Sequence, residues 1–264
     1  MKHSITIIGY GFISKLLIKQ YHNEFSPIIT TTKSSTSSSF ETISHHYDIY
    51  SNLPISIPST DYCIITIPFS RSLSDPTAYT RGISQLIDQL PMKSYKRVIF
   101  TSSTSIYENT NEIVDELSPT SSNKRAKALF ETEQLILSKS NQSFILRVSG
   151  ICGYHRNSIQ KIKQTSIEDS NLPVNLVHVD DIITIMHHLL TSDLPKESDI
   201  INVTSSEHPT KKEYYSYLCK LFDIKIPTFS TSNQPYKMVS NKKLITKYNI
   251  NLSFKSPLSF NFQE

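Results

Sequence analysis

The chain has 264 residues, 38% of them hydrophobic and 19% charged, with 27 Lys and Arg against 23 Asp and Glu for a formal net charge of +4. That length can bury a full core and suits one large α/β domain, or one with a small appended lobe. The charge is mild and scattered, aromatic residues do not interleave with a basic block, and no apolar run approaches a membrane span, so neither nucleic-acid binding nor membrane insertion is expected.

The first element is a short strand, with Ile5, Ile7 and Ile8 as its buried residues. Gly9-Tyr10-Gly11 follows directly, and Phe12 to Gln20 runs at helical period. Strand, glycine turn and helix in that order fit the start of a dinucleotide-binding βαβ unit. Gly9 permits the tight turn, and Gly11 lets a pyrophosphate approach the backbone. The N–H groups of the helix start, including Phe12 and Ile13, then face the phosphates. Ser14 stands at the third glycine position, where a small residue suffices for helix–strand packing. An ordinary strand-turn-helix is the plainer reading, but only 5 glycines occur in the chain and two are here.

Pro27 to Thr32 reads as the second strand, ending in the serine-rich loop Lys33 to Ser39. A free ribose 2′-OH is usually held by an acid at this place, about 20 residues past the glycines. This chain offers Thr30, Thr31, Thr32, Lys33 and Ser34 instead. Hydroxyls and a lysine suit a 2′-phosphate, so NADP is the expected cofactor, with NAD left open. Ile43 to Tyr50 is a candidate third strand, and Asp61 to Pro68 a fourth that Pro68 stops at its carboxyl end. Thr77 to Leu90 has helical spacing through Tyr79, Ile83, Leu86, Ile87 and Leu90.

Lys96 to Thr101 is the fifth strand and runs into Ser102-Ser103-Thr104-Ser105-Ile106-Tyr107, hydroxyls placed where a reactive cofactor end would lie. Such residues also favour capping turns. Asn123 to Ser140 reads as a long helix and Phe144 to Ser149 as the sixth strand. Val174 to Val179 is a further strand, with Asp180 or Asp181 capping a helix from Ile182 to Leu190. Ile200 to Val203 is a late strand, Thr210 caps a helix over Lys211 to Phe222, and the tail from Pro227 is weakly patterned. The division expected is a dinucleotide-binding core over 1–150. Residues 151–264 then hold the rest of the core (strands near 174–179 and 200–203) and a small substrate-side lobe.

Several of these stretches together resemble the extended short-chain dehydrogenase/reductase superfamily, in its NAD(P)-dependent epimerase/dehydratase branch and YeeZ-like group. They are Gly9 to Ser14, Phe100 to Tyr107, Leu146 to Gly153, Asn175 to Asp181 and Ile201 to Thr204, in the family's order along nearly the whole chain. The resemblance implies a Rossmann-type, doubly wound parallel sheet. It also implies a serine or threonine after the fifth strand and Tyr-x-x-x-Lys on the next helix. Ser103 matches the serine. In register with Glu131, Asn123-Lys-Arg-Ala-Lys127 stands in place of Tyr-x-x-x-Lys, so Lys127 survives and the acidic tyrosine does not. A shift of two residues brings Arg125 forward instead, and no tyrosine lies between Tyr107 and Tyr154. Tyr107 is the nearest substitute proton donor, although the family usually packs that residue.

The expected catalytic set is therefore Ser103, Lys127 and Tyr107. The expected cofactor contacts are Gly9, Gly11, Phe12, Ile13, Thr32, Lys33, Ser34, Pro68 and Ser102. Tyr154, His155 and Arg156 could line a substrate pocket. His178 beside Asp180 and Asp181 is an acid/base pair or, more simply, a turn and helix cap. The adjacent pairs His45-His46 and His187-His188 point apart and are not expected to bind metal. The resemblance implies a small, polar, nucleotide-linked substrate and an oxidoreductase or epimerase. The broken tyrosine motif also suits a non-catalytic dinucleotide sensor. No signal peptide is expected, and Cys63, Cys152 and Cys219 read as reduced thiols, so a cytoplasmic protein is expected, with a homodimer left open.

Overall fold

The computed structural model describes residues 2–33, 40–51, 53–70, 73–158 and 166–262. Seven strands form one sheet. They are β1 (His3–Ile8), β2 (Phe25–Thr32), β3 (Ile43–His46), β4 (Tyr62–Ile65), β5 (Arg97–Ser103), β6 (Ser143–Val148) and β7 (Asp199–Val203). Their order is β3-β2-β1-β4-β5-β6-β7. Strand β1 pairs in parallel with β2 on one side and β4 on the other, so the order reverses between β1 and β4. In an open α/β sheet that reversal opens a crevice beyond the carboxyl ends of the strands, where ligands bind. The expected doubly wound parallel architecture is the one observed.

The helices between the strands are α1 (Phe12–Tyr21), α2 (Thr77–Gln89), α3 (Lys124–Lys139) and α4 (Val179–Thr191), followed by α5 (Lys211–Leu221). Strand β4 is buried along all four residues, as a central strand covered on both faces requires. Helix α2 buries Tyr79, Ile83, Leu86 and Ile87, one apolar stripe at helical spacing. They join Ile8, Cys63, Ile65 and Phe100 in one core.

Several boundaries differ from expectation, each for a local reason. Strand β2 starts at Phe25, ahead of Pro27, because Pro27 falls at the irregularity in the β1–β2 register where no ladder N–H is needed. Strand β3 ends at His46, short of Tyr50. There the Asp48 carboxylate accepts from Tyr50 N at 3.0 Å and its carbonyl from Ser51 N at 2.9 Å, which turns the chain. Helix α4 starts at Val179, so Asp180 and Asp181 occupy its first turn. The strand at Leu176–His178 pairs with Gly150–Cys152, outside the seven-stranded sheet. Thr210 does cap α5, in a full capping box with Glu213. The tail is more ordered than its pattern suggests. Lys237–Val239 pairs with Glu112–Val114, and a helix over Lys242–Tyr248 ends at left-handed Asn249.

The chain divides into two compact units. The first comprises Met1–Ile106, Thr120–Arg147 and Ile183–Ile200; the second comprises Tyr107–Pro119, Val148–Ile182 and Ile201–Glu264. The second unit has its own core, in which Cys152, Tyr214, Leu218 and Phe260 are buried.

Candidate functional site

In the first unit the chain leaves β1 through Gly9 at φ +92°, a conformation side chains rarely adopt. A Cβ on Gly9 would also lie 3.2 Å from Ile67 N, so the close approach of the segment after β4 needs glycine as well. The turn is held from both neighbouring strands. Gly9 N donates to Thr31 Oγ1 at 3.0 Å and Tyr10 N to Thr31 O at 2.7 Å. Gly9 O accepts from Thr66 Oγ1 at 2.6 Å and from Ser14 Oγ at 3.1 Å. Ser14 is buried and also meets Thr66 Oγ1 at 2.9 Å, which ties α1 to the end of β4.

Gly11 differs from Gly9. It precedes α1 with φ −106° and ψ −155°, an extended conformation open to any residue. A Cβ there would find only Gly9 O, at 4.0 Å. Neither strain nor crowding within the protein demands glycine, and the space left clear lies over the start of α1. Phe12 and Ile13 open that helix. No acid sits in its first turn to compete for the positive helix end.

A cleft of about 370 Å³ adjoins the turn, lined by Gly9 to Gly11, Thr31 to Lys33, Tyr47 to Tyr50, Thr66 to Pro68, and Ser70. Thr32, Lys33 and Pro68 thus gather with the glycines, while Ser34 lies outside the described residues. Lys33 Nζ is 2.8 Å from Asp48 Oδ2 and 5.3 Å from the Tyr50 ring centroid. Burial raises the Asp48 pKa, but hydrogen bonds from Lys33 and the Tyr50 N–H outweigh it and hold the carboxyl below its usual range. Sequence reasoning missed Asp48. It searched for an acid at the end of β2, and this one comes from the turn after the neighbouring strand β3.

At the end of β5, alternation sends neighbouring hydroxyls to opposite faces. Ser103 Oγ accepts from Ser105 N at 3.1 Å. Ser102 is buried, and its hydroxyl donates to Glu133 Oε1, turned inward from the carboxyl edge. Glu133 also holds the Arg147 guanidinium, with Nη2 2.7 Å from Oε2, the two side chains being 0% and 2% exposed. This buried pair lies beneath α3 and fixes which face of the helix turns inward.

That face decides where the residues compared with Tyr-x-x-x-Lys lie. Asn123 is the N-cap of α3, its Oδ1 accepting from Ala126 N at 2.9 Å. Lys127 lies on the exposed face. The register taken from Glu131 rests on an exposed acid, whereas the buried acid is Glu133, two residues on. The same count from Glu133 brings Arg125 to the tyrosine position. Arg125 Nη2 donates to Phe69 O at 3.2 Å, its Nε approaches Ser105 Oγ at 3.5 Å, and its guanidinium lies 4.2 Å from the Phe69 ring centroid. The cation that reaches the ends of β4 and β5 is thus Arg125.

In the second unit Tyr107 is 2% exposed and its phenol donates to Asn202 Oδ1 at 2.7 Å, the contact of a packing residue. Its carbonyl accepts from Lys237 Nζ at 2.6 Å, and burial pulls that lysine's pKa down despite the nearby Glu108 carboxylate. His178 is fully buried, with Nε2 2.8 Å from Asn261 O and the Phe254 ring centroid at 4.0 Å, tilted by 35°. With its Nε2–H given to that carbonyl, Nδ1 accepts from Asp180 N at 3.3 Å. The Asp181 carboxylate accepts from Ser253 N at 2.7 Å and Phe254 N at 3.1 Å. Histidine and aspartates here fasten a turn and residues 253–261, where the simpler reading expected a turn and a helix cap by the aspartates. Tyr154 has φ +49° and donates to Asp180 Oδ1 at 2.8 Å, while His155 and Arg156 are exposed.

No family model matches the chain. It is 27% identical over 202 residues to Protein YeeZ of Escherichia coli (strain K12), a match covering 75% of this chain and 73% of that one. Among solved structures, the ADP-L-glycero-D-manno-heptose-6-epimerase of Helicobacter pylori superposes with TM-score 0.79 at 17% identity, covering 97% of this chain and 94% of that one. MoeE5, solved in complex with UDP-glucuronic acid and NAD, superposes with TM-score 0.78 at 14% identity, covering 98% and 97%. The chain thus shares its fold with these epimerase and NAD-bound structures and a sequence relationship with Protein YeeZ.

Proposed function

We propose that the first unit binds NAD(P) across the carboxyl edge of its sheet and that the protein works as an oxidoreductase or epimerase on a small, polar, nucleotide-linked substrate. Gly11 carries the binding half of this reading. The protein itself has no use for a glycine there, and the cleared space lies over a helix N-terminus suited to a pyrophosphate. Bound there, the cofactor supplies a hydride acceptor or donor. The chain's own residues orient it: Phe12 and Ile13 by their N–H groups, Thr32 and Lys33 at the ribose, Pro68 and Ser103 toward the nicotinamide. We read Lys33 as the contact to a 2′-phosphate, which favours NADP. Asp48, paired with it, opposes that preference and keeps NAD within reach.

The substrate class follows the solved neighbour bound to UDP-glucuronic acid. A homodimer and a cytoplasmic setting, where the buried thiols of Cys63, Cys152 and Cys219 stay reduced, belong to the same proposal. A second reading, a non-catalytic dinucleotide sensor, is favoured by Asn123, whose amide caps a helix and has no acidic proton to give.

Calorimetric titration with NADPH tests the binding half. Gly11→Val fills the cleared space with a branched side chain, and a loss of affinity of 100-fold or more is expected on folded protein. Unchanged affinity sinks the proposal. Oxidation of bound NADPH, followed by absorbance over a panel of nucleotide sugars, separates the readings: wild-type turnover would defeat the sensor.

A further inference from the structure

We infer that Arg125 makes this site bind the reduced nicotinamide cofactor in preference to the oxidised one. The inference rests on the dinucleotide reading above and adds a redox selectivity to it.

A dinucleotide with its pyrophosphate over Gly11 has two directions in which to extend. Toward β2 and β3 lie Thr32, Lys33 and Asp48, groups suited to a ribose and its 2′-phosphate. The nicotinamide then runs the other way, past the ends of β4 and β5. Arg125 stands over both. It reaches from the first turn of α3 to Phe69 O at 3.2 Å and toward Ser105 Oγ at 3.5 Å, and it stacks on the Phe69 ring. The backbone and ring of Phe69, beyond β4, and the Ser105 hydroxyl, beyond β5, hold the guanidinium at this edge.

The charge chemistry is simple. A guanidinium stays protonated at every working pH. The oxidised nicotinamide ring carries a positive charge and the reduced ring none. The pyrophosphate and ribose phosphates are the same in both forms, so their attraction to Arg125 cancels when the two affinities are compared. What remains is the repulsion of one fixed cation by one ring form. At several ångströms and the effective dielectric of a protein surface, that repulsion corresponds to about tenfold in affinity. A phenol at the same place would act oppositely, since its ionised form attracts the oxidised ring, and the chain has no tyrosine between Tyr107 and Tyr154 to do so.

The test titrates the full chain with NADPH and NADP⁺, and with NADH and NAD⁺, at low ionic strength. The readout is the ratio of oxidised to reduced dissociation constants in wild type, Arg125→Gln and Arg125→Lys. The folded fraction of a variant is common to both titrations, so it drops out of the ratio. Wild type should favour the reduced form about tenfold, Gln should bring the ratio near one, and Lys should keep most of the preference. Added salt should shrink the wild-type ratio. Equal affinities in wild type, or a ratio that Arg125→Gln leaves unchanged, would overturn the inference while leaving dinucleotide binding intact. Binding of neither form would overturn the dinucleotide reading and this inference with it.

Discussion

Lys33 and Asp48 stand in the cleft beside the glycine turn as a pair of opposite charges 2.8 Å apart, at the place proposed above for the ribose. A 2′-phosphate is attracted by one and repelled by the other, so the two residues have opposite mutational signs. Asp48→Asn should widen the preference for NADPH over NADH, by roughly tenfold for one removed repulsion at short range. Lys33→Asp should narrow or reverse it. Paired calorimetric titrations decide, and an Asp48→Asn protein with an unchanged preference would remove the pair from cofactor selection. The other charged pair obeys different physics. Glu133 and Arg147 are buried, so Glu133→Gln leaves an uncompensated guanidinium in the core and should cost about 3 kcal/mol of unfolding free energy. Replacing both, as Glu133→Gln with Arg147→Met, should cost less than the single change. Denaturant unfolding of the two proteins checks this.

Elements meet through short polar clasps whose pH dependence can be read. Asp61, just before β4, accepts from Ser4 N of β1 at 2.7 Å and pairs with Lys96 Nζ at 2.7 Å, just before β5. The Lys96 hydrogen bond, then the Ser4 N–H, hold the Asp61 carboxyl down at about 2 against an ordinary 3.8. A folded-state pKa depressed in this way stabilises the sheet's amino edge above the unfolded pKa, and that stability is lost as pH falls through the folded value. The contribution is about 1–2 kcal/mol once solvent screening at the partly exposed carboxyl is allowed for. Asp61→Asn should therefore flatten the loss of unfolding free energy between pH 4 and pH 2, measured by urea titration at each pH. A slope equal to that of wild type would assign the acid sensitivity elsewhere.

At the scale of the whole molecule, neither compact unit is a continuous stretch of chain. The first unit needs Ile183–Ile200, far beyond residue 150, and Arg97 of β5 shows why. Its guanidinium donates to the carbonyls of Leu189, Leu190 and Ser192 at 3.0, 2.9 and 2.6 Å, capping the end of α4. A fragment of residues 1–150 loses those partners and leaves the Arg97 donors without them. It should unfold without the cooperative transition of the full chain, as circular dichroism on heating will report. A sharp transition in the fragment would restore the simple division at residue 150.

What the sequence by itself determined is the part written in short-range pattern. Apolar runs at strand length, the stripe Tyr79-Ile83-Leu86-Ile87, the glycine turn and the Thr210–Glu213 capping box each act over a few residues. Local sterics and periodicity are enough to specify them. The doubly wound α/β fold follows, because strand, turn and helix repeat in order. The tertiary structure decided what depends on residues far apart in the chain. Asp48 meets Lys33 only because β3 lies beside β2. Glu133 turns inward, in place of Glu131, on the face of α3 that also buries Ala126, Leu129 and Ile136, where Arg147 and Ser102 meet it; that face leaves Lys127 exposed and carries Arg125 to the edge of the sheet. On a helix every second residue faces another way, so a shift of two exchanges the buried and exposed faces. The buried charge pair and the apolar residues beside it choose between the two together, since leaving either charged partner alone in the core is costly.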